Sequence, residues 1–312
     1  MKASSLLLTA PYRLAWEEQD LPDPQGNQVL VRTRAGAISI GTELALYRGV
    51  SRAASLPLYP LMTGYESVGV VADVGPDANQ FKRGDRVVAA YGHRTAAMVP
   101  QDRLIPVPPG ITDALALLAI LACDCAKGVL KAEVIPGERV LITGGGAIGA
   151  LTLSNLKARG VMQVDVVEPQ GARHRLLRDL GAATVLAPED IPENRQPYAA
   201  GFECSSCDAA FGLLQRRMGP EGRVCVLADG NLEPLTLTPE FHTRELRVVG
   251  SSDGLDYRKY GRWFFAQVRG ERPALEWLFQ CRTAHRDLAD TFGALDSGEI
   301  SPVKVLVDYA GT

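Results

Sequence analysis

Val140-Leu-Ile-Thr143 is an apolar run that leads directly into Gly144-Gly-Gly146-Ala-Ile-Gly149 and then into Ala-Leu-Thr-Leu. An apolar strand, a G-x-G-x-x-G turn and a helical segment in that order suit a strand–turn–helix unit at a phosphate site. The glycines let the turn close tightly, the backbone approach a pyrophosphate and the helix pack near the strand. The helix N-terminus then offers free N–H groups to the phosphates. A second strand, Gln163 to Val167, ends in Glu168, about twenty residues past the glycines, where a carboxylate accepts hydrogen bonds from adenosine ribose hydroxyls. Gly144, Gly146, Ala147, Ile148, Gly149 and Glu168 are therefore the predicted dinucleotide-binding residues. Further strand patterns at Thr184 to Leu186 and Arg223 to Leu227, alternating with helical ones, predict an α/β fold with a doubly wound parallel sheet.

The flanks read differently. In Gln28 to Arg34, Val29, Val31 and Thr33 alternate with Leu30, Arg32 and Arg34 after the turn-rich Leu21 to Gly26. Ser67 to Val74 and Arg86 to Ala90 are valine-rich, with Gly75-Pro76 and Lys82 to Asp85 between them, so the first hundred or so residues predict a mostly β unit. Asp113 to Leu130 predicts one long helix begun near Thr112. The end returns to mixed texture, with helices predicted around Tyr257 to Val268 and Ala284 to Leu295 and a last strand over Val303 to Val307.

At 312 residues the chain is long enough for two domains. A net charge of −3, with Lys and Arg dispersed, argues against nucleic acid or an anionic membrane as partner and leaves a small molecule. Met1 to Ala10 lacks the pattern of a secretory signal, and no apolar run reaches the roughly 18 residues of a membrane span. The cysteines, at 123, 125, 204, 207, 225 and 281, lack the spacing of a disulfide framework, so a cytoplasmic protein with free thiols is expected. Cys204-Ser-Ser-Cys207 reads as two ordinary thiols, since a structural zinc wants four ligands.

Glu168 favours NAD over NADP, because its carboxylate repels a 2′-phosphate. Arg173, followed by His174 and Arg175, leaves three alternatives open: it swings toward such a phosphate, stacks on the adenine, or faces solvent.

Ala37-Ile-Ser-Ile-Gly-Thr42-Glu43, Gly64-Tyr65-Glu66-Ser-Val-Gly69, Gly84-Asp-Arg-Val87, the glycine turn, Arg244-Glu-Leu246 with Gly250-Ser251, and Lys304-Val-Leu-Val follow in the order and spacing of one family. The chain resembles the medium-chain dehydrogenase/reductase superfamily, the zinc-type alcohol dehydrogenase-like proteins, over essentially its whole length. The resemblance implies a GroES-like, mostly β catalytic domain made from residues 1–122 and 250–312, and a Rossmann domain over residues 123–249. It further implies hydride transfer in the cleft between them, and places Lys304 with Arg173 among the residues that hold the cofactor. A homodimer is one assembly it permits. Ile38 to Glu43 and Tyr59 to Gly69 are also similar to a zinc-lacking branch that includes the dehydrogenase oxidising a hydroxyethyl side chain of bacteriochlorophyllide.

Zinc-dependent members carry Cys before Gly-Thr, His inside Gly-His-Glu and a third ligand early in the linking helix. Here those positions read Ile40, Tyr65 and Cys123, and isoleucine has no ligand atom. The run of four cysteines that holds a structural zinc in the family is also absent. A zinc-free enzyme is expected, with hydrogen-bond donors in the metal's place. The resemblance puts Tyr65, Thr42, Glu66, His93 and Lys127 in catalytic positions, with the Lys127 ammonium lowering the Tyr65 phenol pKa. Tyr65 as a packing aromatic and His93 as a satisfied buried histidine are the competing readings. The expected reaction is NAD-linked interconversion of a secondary alcohol and its carbonyl. An NADPH-linked quinone or enone reductase and a non-catalytic dinucleotide sensor are the alternatives.

Overall fold

The computed structural model describes residues 1–50, 59–192, 196–228, 233–269 and 273–309. The chain divides into two compact units, one of residues 1–120 and 256–312, the other of residues 121–255.

The first unit opens with β1 (Lys2–Ala10), β2 (Arg13–Asp20), β3 (Gln28–Ile38), α1 (Ile40–Tyr47), β4 (Leu61–Met62), β5 (Glu66–Val74), β6 (Arg86–Ala89), β7 (Ala96–Pro100), β8 (Ile105–Pro106) and α2 (Asp113–Leu117). α3 (Ala119–Lys131) then carries the chain into the second unit. The expected single helix over 113–130 is thus two helices. Thr112 caps the first, its hydroxyl accepting from the Leu115 N–H at 3.1 Å, and the break at Leu118 lies just before the chain changes units.

The second unit holds β9 (Arg139–Thr143), α4 (Ala147–Ala158), β10 (Gln163–Val167), α5 (Gly171–Asp179), β11 (Thr184–Leu186), β12 (Tyr198–Glu203), α6 (Asp208–Arg217), β13 (Met218–Val226), α7 (Pro239–Thr243) and β14 (Arg247–Gly250). All six strands are parallel, in the order β11-β10-β9-β12-β13-β14. The order reverses between β9 and β12, which opens a crevice at the strands' C-terminal ends, the usual ligand site of such sheets. Leu141, Val167, Tyr198, Phe211, Leu214 and Val224 form part of the core under it. This unit runs on to 255 rather than stopping at the expected 249. Two lysines of α3 explain the difference: Lys131 Nζ donates to the Gly250 carbonyl and Lys127 Nζ to the Ser252 carbonyl.

Residues 256–312 return to the first unit with α8 (Tyr257–Val268), β15 (Phe279–Ala284), α9 (Leu288–Ser297) and β16 (Lys304–Asp308). The seven-stranded sheet of that unit has the order β15-β16-β3-β5-β6-β8, with β7 also on β3. Val31, Thr33 and Ala35 of β3 are buried while Arg32 and Arg34 face out, the period-two pattern of a strand with one covered face. Val29, Val31, Val71, Val87 and Leu104 form one core of the unit, and Leu6, Ile38, Phe292 and Val305 belong to another.

β3 is also the strand that aligns the site. Its register with β5 sets Ala37 opposite Glu66, and its register with β16 sets Val305 opposite Ile38. Ser39, Tyr65, Glu66 and Lys304 therefore arrive at one end of the sheet.

Candidate active site

Parallel pairing of Thr143 with Val167 lays the glycine turn beside Glu168, and the Gly144 N–H donates to the Val167 carbonyl at 2.8 Å. Gly144 has φ +89°, and a Cβ there would lie 2.8 Å from the Cys204 carbonyl oxygen. A Cβ on Gly149 would stand 1.8 Å from the Gly144 oxygen, so only glycine lets α4 start this close to the strand. Gly146, the residue before α4, is different: a Cβ there would meet nothing, and no side chain caps the helix. Open space beside uncapped N–H groups, next to Ala147 and Ile148, is what a pyrophosphate needs.

The Glu168 carboxylate accepts from the Gly145 N–H at 2.6 Å and the Gln170 N–H at 2.8 Å. Each oxygen keeps a free lone pair for a ribose hydroxyl. Arg173 Nη1 lies 3.7 Å from Glu168 Oε2, and His174 Nε2 lies 2.6 Å from the Glu168 carbonyl oxygen. Arg173 thus lies against the acid itself, a placement outside the three alternatives. The site as built fits a dinucleotide.

In the first unit a polar cluster gathers where β3 and β5 end. The Tyr65 hydroxyl donates to Ser39 Oγ and also bonds the Thr42 hydroxyl. Glu43 reaches back from α1, its Oε1 accepting from the Ser39 N–H at 2.8 Å, while its Oε2 meets His93 Nε2 at 3.0 Å. Lys304 Nζ donates to Glu66 Oε1 at 2.6 Å, and both side chains are essentially inaccessible.

Three expectations change here. Burial is the largest influence on the Tyr65 phenol and pushes it well above the usual phenol range; the Glu66 and Glu43 carboxylates push the same way, against the hydrogen bonds with Ser39 and Thr42. The phenol is thus held protonated, not tuned downward. Lys127, assigned that tuning, has its ammonium on the Ser252 carbonyl at 2.6 Å. Lys304, expected at the cofactor, has its ammonium on Glu66 instead. Burial raises the Glu66 carboxyl, and Lys304 opposes that shift by its charge and its hydrogen bond.

Two residues gain roles. Ser39 precedes α1 in the position of a cap but uses its hydroxyl for Tyr65, so its helix-start signal concealed it. Glu43 stood in the family motif with no assigned contact; its links to Ser39 and His93 show only in three dimensions. His93 is 1 % exposed; its Nε2 meets Glu43, but its Nδ1 is buried without a hydrogen-bond partner, so the ring is only half satisfied.

The donor set does not fit a catalytic zinc. Ile40 has no ligand atom, the Tyr65 phenol is held protonated by burial, and Cys123 is fully buried. Among the described residues no group of three or more His, Cys, Asp or Glu is arranged to hold a metal ion. Among the same residues no helix is long and apolar enough to cross a membrane.

A parallel sheet with its glycine turn in one unit and a mostly β unit carrying a hydroxyl cluster are the architecture of a dinucleotide-binding α/β protein. Residues 25–109 match the alcohol dehydrogenase GroES-like domain. L-threonine 3-dehydrogenase of Mesorhizobium japonicum is 26% identical, covering 94% of each chain. The crystal structure of 2R,3R-butanediol dehydrogenase from Bacillus subtilis superposes with a TM-score of 0.81 at 18% identity, covering 98% of this chain and 99% of that one. That of L-idonate 5-dehydrogenase from Escherichia coli K-12 gives 0.87 at 17% identity, covering 99% of both. The chain thus carries an alcohol dehydrogenase GroES-like domain over residues 25–109, is similar along nearly its whole length to dehydrogenases of the medium-chain, zinc-type alcohol dehydrogenase-like kind, and is an oxidoreductase of the NAD(P)-dependent type.

Proposed function

We propose that this chain is a zinc-independent member of the superfamily, NAD(H)-linked, which interconverts a small secondary alcohol and its ketone with Tyr65 handling the proton. The observation that carries the reading is the Tyr65–Ser39–Thr42 hydroxyl cluster, standing where zinc-type members hold a histidine ligand and flanked by Ile40. The names of relatives such as L-threonine 3-dehydrogenase and 2R,3R-butanediol dehydrogenase also point to hydroxyl oxidation.

When bound, the nicotinamide takes or supplies the hydride. For ketone reduction the chain must polarise the carbonyl and protonate the oxygen that becomes negative. A neutral phenol does both once its one proton turns from Ser39 Oγ to the substrate and the Ser39 hydroxyl turns to donate to the phenol oxygen: it hydrogen-bonds the ketone and then protonates the alkoxide. The upward push on its pKa does not prevent this, because an alkoxide is a stronger base than a phenolate. Ser39 and Thr42 hydroxyls are placed to restore the proton, since a hydroxyl donates and accepts at once. Glu43, by fixing the Ser39 backbone, holds that pair in place.

NAD is the proposed cofactor because Glu168 offers ribose hydroxyls its free lone pairs and faces a 2′-phosphate with like charge, while its contact with Arg173 offsets the cation that would otherwise attract that phosphate. Fluorescence titration should find NADH binding at least about tenfold more tightly than NADPH, the scale of one charge-assisted hydrogen bond. Equal or tighter NADPH binding refutes the cofactor assignment. With NADH in a carbonyl screen, the expected product is a secondary alcohol; a saturated ketone formed from an enone would replace the proposed reaction with conjugate reduction.

A further inference from the structure

We propose that the first unit holds a second ligand site, a basic cavity between α8 and the β6–β8 edge that binds a small phosphate-bearing anion. The cavity is about 390 Å³, within the range of small-molecule sites, and Arg86, Arg258 and Arg262 line it. An adjoining basin shares Gln80, Arg258 and Arg262 and adds Lys259. Neither includes a residue of the Tyr65 cluster or of the glycine turn.

Arg258 and Arg262 are four apart on α8 and so share a helix face. Arg258 is held in place: Nη1 donates to Gln80 Oε1 at 2.6 Å, and its guanidinium carbon sits 5.8 Å from the centre of the Phe81 ring. Arg86, from β6, donates to the Ile111 carbonyl at 2.7 Å and to Asp113 Oδ1 at 2.5 Å. Both arginines keep an Nε shielded from solvent with no hydrogen-bond partner. Among the described residues, Arg258, Lys259 and Arg262 form no ion pair with any carboxylate.

Two acids also border the site, each engaged by backbone: Asp85 Oδ2 accepts from the Lys82 N–H and Asp256 Oδ1 from the Lys259 N–H, both at 2.9 Å. With Asp113, already paired to Arg86, four cations face three carboxylates, and Arg258, Lys259 and Arg262 leave the site net positive in a chain whose net charge is −3. Guanidinium forks match phosphate oxygens two at a time and cannot lose their charge, which favours a phosphomonoester or diphosphate over a singly charged carboxylate.

The test is calorimetric titration of the full chain with inorganic pyrophosphate, under saturating NADH so that the glycine turn is occupied. One site per chain is expected, weakened at least about tenfold in Arg258→Ala/Arg262→Ala, the cost of losing one strong phosphate contact. NADH affinity should stay within about twofold of wild type, a difference of well under one hydrogen bond. Absence of binding, binding unchanged in the variant, or sulfate and citrate binding as tightly as pyrophosphate would overturn the proposal. A second measurement needs no variant: pyrophosphate should slow phenylglyoxal modification of Arg258 and Arg262 in the native protein and leave exposed Arg175 unaffected, and equal rates with and without it count against the site.

Discussion

Tyr65→Phe should lower ketone turnover about a hundredfold or more, the usual scale for losing a positioned acid, with NADH affinity nearly unchanged. The substitution removes one oxygen and keeps the ring, so packing at the end of β5 survives while Ser39 and Thr42 lose their phenol partner. Rate loss confined to kcat, with substrate KM little altered, identifies an interaction made in the transition state. The pH dependence follows from the upward shift of the phenol. A phenol raised in the folded state stays protonated past its ordinary value, so no loss of rate from its ionisation should occur below about pH 10. The unfolded chain gives up this proton first, so Tyr65's contribution to stability is intact below about pH 10 and declines above it. A rate-controlling ionisation near neutrality that disappears in Tyr65→Phe contradicts this assignment, as does wild-type turnover in the variant.

Lys304→Met should destabilise the first unit by about 3–5 kcal/mol, the cost of leaving one member of a buried ion pair alone. Glu66 is inaccessible and already has one oxygen, Oε2, without a partner. Removing the ammonium strands the whole carboxylate, which then takes up a proton or draws in water. Urea unfolding of Lys304→Met beside Glu66→Gln/Lys304→Met separates packing from charge. The double variant should recover most of the loss, because a neutral amide needs no counter-ion. A Lys304→Met protein as stable as wild type but weaker in NADH binding would return Lys304 to the cofactor role that the family resemblance implied.

How far the fold could be read from sequence depended on local chemistry. β10 and β11 are valine- and threonine-bearing runs between clear turns, and their bounds match the reading residue for residue. β12 is hidden in the sequence because Ala-Ala-Gly at the centre of its Tyr-Ala-Ala-Gly-Phe-Glu dilutes the two β-forming aromatics; its place between β9 and β13 is fixed by tertiary pairing. The β1–β2 hairpin was missed for its turn: Pro11-Tyr12 lacks the Asn-Gly or Asp-Gly signal, and Tyr12 takes φ 63°. The dinucleotide residues were legible because their motif is contiguous and each glycine has a steric reason. The polar cluster was legible only in part. Tyr65 and Thr42 announced themselves by position, but the His93 partner of Glu43 and the partners of Lys127 and Lys304 lie 50, 125 and 238 residues away in sequence, beyond the reach of any local pattern.

The claim that hydroxyl donors replace a metal is tested most directly by measuring NADH-linked ketone reduction on protein purified without chelator and assayed for metal. Zinc far below one per chain, with turnover unchanged by dialysis against a strong chelator, is the result this account requires. Stoichiometric zinc, or activity lost with the metal and restored by adding it back, would contradict it.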